Sequence, residues 1–267
     1  MIVIGERING MFTSIGDAIA AKDKKPIQEM AEKQLAAGAD VLDINVGTRV
    51  PKAERPEVMR WLVEATREVT NAPLAIDNPN IEVVRAGLEV ACKKGPAIIN
   101  STTGAQDKLD PFMDMAKEFG TGIIGLAIDE NGIANTVDGK VEIGMRIVAA
   151  AMEKDVPVEE VYLDPIILPV KTDQTSPKVT LETIAQFKML SDPPPRVVVG
   201  LSNVSQQAAE RSLINRTFLV MAIAAGMDAS IHDPLDEVLM NEMITAELLM
   251  NKSIYSDSYL RAYMQNR

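Results

Sequence analysis

Apolar residues in this chain come in short, nearly unbroken runs such as IVI, AIIN, GIIGLA and RVVVGL, separated by longer stretches with helical spacing. The runs predict strands at 2–4, 41–44, 73–77, 96–100, 122–127, 160–164, 196–201 and 228–231. The intervening 3.6-residue patterns predict helices at 24–37, 57–69, 80–93, 106–119, 139–153, 177–190, 211–225 and 235–250. Gly38 and Gly120 follow two of these helices, where a left-handed residue ends a helix without strain. Pro157 and Pro193–Pro195 block continuation of two others. Strands that are apolar at consecutive positions are covered on both faces, which is the pattern of a parallel sheet. Eight strand–helix units in 267 residues fit a single (β/α)8 barrel spanning 1–267. An open doubly wound sheet would want a G-x-G-x-x-G turn after the first strand, and GERINGMF has none.

The strands end on a row of polar residues. Glu6 and Asn9 follow the first, and Asn45, Asp77, Asn100, Asp164 and Asn203 close or follow five others. An unmatched buried polar group costs about 2–7 kcal/mol, so a row of them at one end of a barrel needs a ligand to satisfy it. The C-terminal ends of barrel strands are where such folds build their sites. An ionised carboxylate only accepts hydrogen bonds, while a carboxamide both donates and accepts. An exocyclic amine beside a ring N–H, as on an aminopyrimidinone, presents two parallel donors that one carboxylate can grip, while a carboxamide serves the neighbouring carbonyl. The ligand expected is therefore a flat, polar heterocycle of the pterin type. The competing structural reading is that each acid caps the helix after it, Asp77 before NPNIEVV and Asp164 before PIIL.

Composition narrows the chemistry. A net charge of −11 with no Lys/Arg-rich tract argues against a nucleic-acid partner. The single cysteine, Cys92, excludes an internal disulfide framework or a multi-thiolate metal site and is expected to be a plain buried thiol. The single histidine, His232, leaves little material for a nucleophilic triad or a histidine metal cluster, and a packing role near the last helix is expected for it. A carboxylate-only magnesium site would need Asp77, Asp164 and Asp233 to converge, and no spacing singles that out, so no metal is expected. The longest apolar run, FLVMAIAAGM, is too short for a membrane span, and no secretory leader is visible. A cytoplasmic protein with no membrane partner is expected.

The segments GERIN at 5–9, LDINVG at 42–47, AID at 75–77, IINST at 98–102, YLDPIILP at 162–169, GLSNVS at 200–205 and LINRTFL at 213–219 resemble the pterin-binding methyltransferases. Within them the pattern is most similar to the enzymes acting on methyltetrahydrofolate and a corrinoid/iron–sulfur protein, over essentially the whole chain. The resemblance implies a homodimeric barrel that binds methyltetrahydrofolate, the methyl donor, at its C-terminal face. It implies that Glu6, Asn9, Asp77, Asn100 and Asp164 hold the pterin, and that Asn203 lies near the methyl-bearing nitrogen with Ser202 and Arg211 beside it. Asn45 has no settled role, and Arg7 is expected to pair with Glu6 or brace its loop. The methyl acceptor implied is a Co(I) corrinoid carried by a partner corrinoid/iron–sulfur protein, because this chain offers no cobalamin-binding loop of its own. It is expected to keep no tightly bound cofactor. Asn203 is expected to stabilise the protonated leaving nitrogen through its carbonyl. Dihydropteroate synthase shares the fold, but its phosphate-binding first loop and S-x-R-x-H motif find no counterpart in ERINGMFTSIG and ASIHDP. A non-catalytic pterin-binding subunit is the other alternative.

Overall fold

In the computed structural model, residues 1–255 are described. Residues 256–267, which the expected single domain includes, lie outside the described residues. The barrel strands are β1 (Ile2–Asn9), β2 (Val41–Asn45), β3 (Leu74–Asp77), β4 (Ala97–Thr103), β5 (Gly122–Leu126), β8 (Val161–Asp164), β9 (Arg196–Gly200) and β10 (Ala229–His232). They are parallel and close in that order, β10 returning to pair with β1 through Ile2–Ala229 and Ile4–Ile231. The helices are α1 (Thr13–Ala21), α2 (Lys24–Ala36), α3 (Arg55–Arg67), α4 (Ile81–Ala91), α5 (Gln106–Phe119), α6 (Val137–Glu153), α7 (Ser176–Phe187), α8 (Arg211–Ala225) and α9 (Glu237–Leu249). The (β/α)8 barrel read from the sequence is the fold observed.

Three features depart from the expected elements. The loop after β1 contains α1, whose Ile15, Ala18 and Ile19 face the core at helical spacing. A two-stranded hairpin, β6 (Ile128–Asp129) and β7 (Gly132–Ile133), follows β5 outside the barrel. And β1 runs on to Asn9 instead of stopping at residue 4, because its register against β2 shifts between Gly5 and Ile8. A bulge re-aims side chains at a sheet end without breaking the pairing. A second shift, in β4 between Asn100 and Thr102, lies at the same end of the barrel. The helix ends are as expected, with Gly38 at φ 98° and Gly120 at φ 62°. Cys92 is half-buried at the C-terminal cap of α4, not enclosed, because the helix ends at Ala91.

Two apolar layers fill the molecule. The larger packs helices on the outside of the sheet. The smaller plugs the lumen with Ile4, Val41, Ala75, Ile98, Ile124, Tyr162, Val198 and Ala229, one residue from each barrel strand. Side chains alternate across a strand, so the residue two positions later points to the same side. Above the plug, toward the strand C-termini, that rule places Glu6, Asp43, Asp77, Asn100, Leu126, Asp164, Gly200 and Ile231. The polar row is thus one pleat above a dry floor.

Candidate active site at the barrel mouth

The polar layer is internally wired between strands. Asn45 Nδ2 donates to Asp77 Oδ2 at 2.6 Å, and its Oδ1 accepts the Gly47 amide at 2.7 Å. Asn100 Nδ2 donates to Asp43 Oδ1 at 2.9 Å. Ser202 Oγ donates to Glu6 Oε1 at 2.8 Å. Asp164 Oδ1 accepts the Ile166 amide at 2.8 Å. Neither Asp77 nor Asp164 caps a helix: Asn80 takes that role for α4, accepting from the Glu82 amide, and α7 starts only at Ser176. The capping alternative for these two acids is therefore not what the chain does.

Glu6, Asn9, Ser202, Asn203 and Arg211 share a cavity of about 600 Å³ with Arg7, Phe12, Asn215, His232 and Asp233. Asp77, Asn100 and Asp164 do not line that cavity: Asp77 and Asn100 stand in the β2–β4 network and Asp164 at the end of β8, in the same layer of the barrel. Asn9 is fixed by accepting the Met11 amide at 2.9 Å. Among the described residues the exposed Asn203 carboxamide has no hydrogen-bond partner, leaving it available to a ligand. Arg211 donates to Ser205 Oγ at 3.2 Å and to the Ser202 carbonyl at 3.3 Å, so within the protein it braces the 3₁₀ turn Leu201–Asn203.

Arg7 does not pair with Glu6. Its guanidinium lies 2.9 Å from Asp233 and 4.3 Å from the Phe12 ring centroid. Its backbone amide, freed by the β1 bulge, donates to Gln34 Oε1 at 2.9 Å. Gln34 is fully buried, and it fits because the facing residue is Gly5, where any Cβ would sit 2.4 Å from that same oxygen. The loops after β1 and β2 also touch, with Gly47 at φ 75° and its absent Cβ within 2.6 Å of the Gly10 carbonyl carbon.

Electrostatics set this layer apart. Burial pushes Glu6 upward, only partly offset by the Ser202 hydroxyl. Burial, with the neighbouring Asp77 charge adding to it, holds Asp43 well above the carboxylate range. Burial raises Asp77 to about 6 against the opposing Asn45 hydrogen bond. Asp164 is also raised to about 6 by burial, against the Ile166 amide and the more distant Lys140 charge. None of the four makes an ion pair among the described residues. His232 is buried between Ser230 Oγ, 3.1 Å from Nδ1, and Met240 Sδ, 3.4 Å from Nε2, and desolvation lowers it to about 4. It is a neutral packing group at physiological pH, on the wall of the cavity. Among the described residues no group of three or more His, Cys, Asp or Glu is arranged to hold a metal, so Asp77, Asp164 and Asp233 do not converge.

Residues 5–232 match the family model described as "Pterin binding enzyme". The chain is 30% identical over its full length to a methylcorrinoid:tetrahydrofolate methyltransferase of Eubacterium limosum, covering 97% of that protein. The chain belongs to the pterin-binding methyltransferases. A methionine synthase of Mycobacterium leprae is also 30% identical, over 86% of this chain and 20% of its own length. Among solved structures, a Yersinia pestis dihydropteroate synthase superposes with a TM-score of 0.70 at 13% identity, each chain 94% covered, which is a likeness of fold alone. For a pterin-binding methyltransferase, the residue the sequence reading overlooked is Asp43. It lies between the plug residue Val41 and the rim residue Asn45, and the two-residue period of β2 is the signal that finds it.

Proposed function

We propose that this methyltransferase moves a methyl group from N5 of methyltetrahydrofolate to the Co(I) corrinoid of a partner corrinoid/iron–sulfur protein. The observation that carries the reading is the set of Glu6, Asp77 and Asp164 above the plug, desolvated acids without ion-pair partners, in one layer with an Asp43 held well above the carboxylate range and bonded to Asn100. A ligand edge carrying parallel N–H donors removes that cost, because it supplies to the ionised acids the hydrogen bonds that water no longer makes. Asp77 and Asp164 take the amine and ring N–H donors, and Asn100 serves the adjoining carbonyl and ring nitrogen. Leu126, Gly200 and Ile231 complete the layer with apolar or minimal surface for the flat ring.

In the transfer, the carbon–nitrogen bond breaks with its electron pair left on nitrogen, the cobalt's electron pair forms the new bond to carbon, and nitrogen gains a proton. A neutral tertiary amine leaves poorly, so stabilising that proton is where the protein accelerates the step. The Asn203 carboxamide, at the rim and without an internal partner, accepts from the protonated nitrogen through its carbonyl. The proton is taken up from solvent at the open mouth, so that the transfer consumes one solvent proton for each methyl group moved.

The relative from Eubacterium limosum is named for transfer in the opposite sense, to tetrahydrofolate. The same groups stabilise the same transition state in either direction, so the supply of methyl donor decides which way it runs. The corrinoid protein docks over the mouth, and the enzyme is a homodimer, which sedimentation equilibrium checks. The site reading is tested by titrating purified protein with methyltetrahydrofolate: saturable one-to-one binding that Asp77→Ala abolishes is expected, and wild-type affinity in that variant would reject it.

A further inference from the structure

Asp164 reaches the mouth from a turn whose geometry is unusual. Ile166 has φ 56°, in the left-handed region that a β-branched side chain strongly disfavours. Two contacts hold it there. Its amide is taken by Asp164 Oδ1 at 2.8 Å, and its carbonyl by the ammonium of Lys140 at 2.9 Å. The same ammonium also donates to the Pro165 carbonyl. Lys140 stands in the first turn of α6 and is only 3% exposed, so it makes these bonds away from water.

The turn is tied onward to the rest of the mouth. The Leu168 amide donates to Ser176 Oγ at 2.9 Å, and the Val170 amide to the Val204 carbonyl at 3.0 Å. Val204 directly follows the 3₁₀ turn that carries Ser202 and Asn203. A buried lysine is costly, and two carbonyls alone do not need a full positive charge. Yet Lys140 forms no ion pair within 4.0 Å among the described residues; the acids that feel its charge are Asp164 and Asp173. Its role is mechanical, pinning the turn so that the Asp164 carboxylate, which takes the Ile166 amide and a backbone hydrogen bond from Gly200 across to β9, is held facing the mouth, and its charge acts on that carboxylate in the same sense.

We propose that Lys140 is a positioning residue for Asp164, holding its turn in the geometry that presents the carboxylate to the pterin amine. This rests on the reading of the mouth as a pterin site. The test is a double-mutant cycle on methyltetrahydrofolate affinity, with Lys140→Met and Asp164→Asn alone and combined. Lys140→Met is expected to weaken binding about tenfold in the wild-type background and less than twofold in the Asp164→Asn background. Lys140→Gln, which keeps two N–H donors for the two carbonyls without the charge, is expected to fall between and to retain the fold, so it carries the cycle if Lys140→Met does not fold. Equal losses in both backgrounds would mean a purely structural lysine and overturn the proposal, as would unchanged affinity in both lysine variants. Absence of binding by the wild-type protein would instead overturn the pterin reading itself, and with it this inference.

Discussion

Replacing Asp164 by Asn should make the protein more stable and a worse binder at once. Burial raises this carboxyl from 3.8 to about 6. Because the folded-state value lies above the unfolded one, the penalty is absent below about pH 4, grows as the pH rises through 6, and is complete above it. At 1.36 kcal/mol per unit, that opposes folding of the free protein by about 3 kcal/mol at pH 7.5. The amide is uncharged and nearly the same shape, and its oxygen can still accept the Ile166 amide. A gain of about 1–3 kcal/mol is therefore expected, reduced from the full amount by the weaker neutral hydrogen bond. The other position, an acceptor in the carboxylate, becomes an NH₂ facing the ligand's own donors. Losing one charged hydrogen bond costs about 1.5–3 kcal/mol, or roughly 10- to 150-fold in affinity. Urea unfolding at pH 7.5 and a methyltetrahydrofolate titration read the two effects separately. Loss of stability together with loss of affinity would make Asp164 a structural residue. Gain of stability with unchanged affinity would remove it from the ligand.

Asn203→Ala should cut single-turnover methyl transfer by about 10²–10³, with affinity changed far less, since its partner is the protonated nitrogen of the transition state; equal losses in rate and affinity would make it an ordinary binding residue. Methyltetrahydrofolate affinity should fall as the pH drops through about 6, by about tenfold per unit for each of Asp77 and Asp164 once proton uptake competes with the ligand, and isothermal titration across pH 4.5–8 would show it. Asp43, held well above the carboxylate range, should tolerate Asn with less than about threefold loss of affinity, whereas Asp43→Ala strands the Asn100 amide and costs about 1–3 kcal/mol of stability in urea unfolding.

The barrel was legible because most of its strands carry runs of consecutive apolar residues and its helices are apolar at every third or fourth position, so period and order together specify eight units. The polar strand ends were legible for the same reason: they interrupt runs that are otherwise dry. What escaped was local. Asp43 sits inside VLDIN, where a run-based reading stops at the terminal Asn45, although alternation along β2 puts both on the lumen side of Val41. The helix α1 has no side-chain N-cap and carries Gly16, so TSIGDAIAA looks like loop despite its Ile15–Ile19 spacing. Gln34 and Lys140 look like solvated positions of amphipathic helices, and only the β1 bulge and the turn at Ile166 explain their burial. Both serve the site from outside it, through backbone groups that carry no sequence signature of their own. Of the two roles expected for Arg7, bracing its loop agrees with its contact on Phe12, while its ion-pair partner is not its sequence neighbour Glu6 but Asp233, from the far end of the chain.

The central claim is that the set of acids and Asn203 carry out methyl transfer at cobalt. It is tested most directly by mixing the purified protein with methyl-labelled methyltetrahydrofolate and free Co(I) cobalamin in an anaerobic stopped-flow cell. The account predicts loss of Co(I) absorbance at a rate proportional to enzyme, label recovered on cobalt, tetrahydrofolate formed in equal amount, and the same reaction run backward from methylcobalamin and tetrahydrofolate. Tight folate binding with no transfer of label to cobalt in either direction would contradict it.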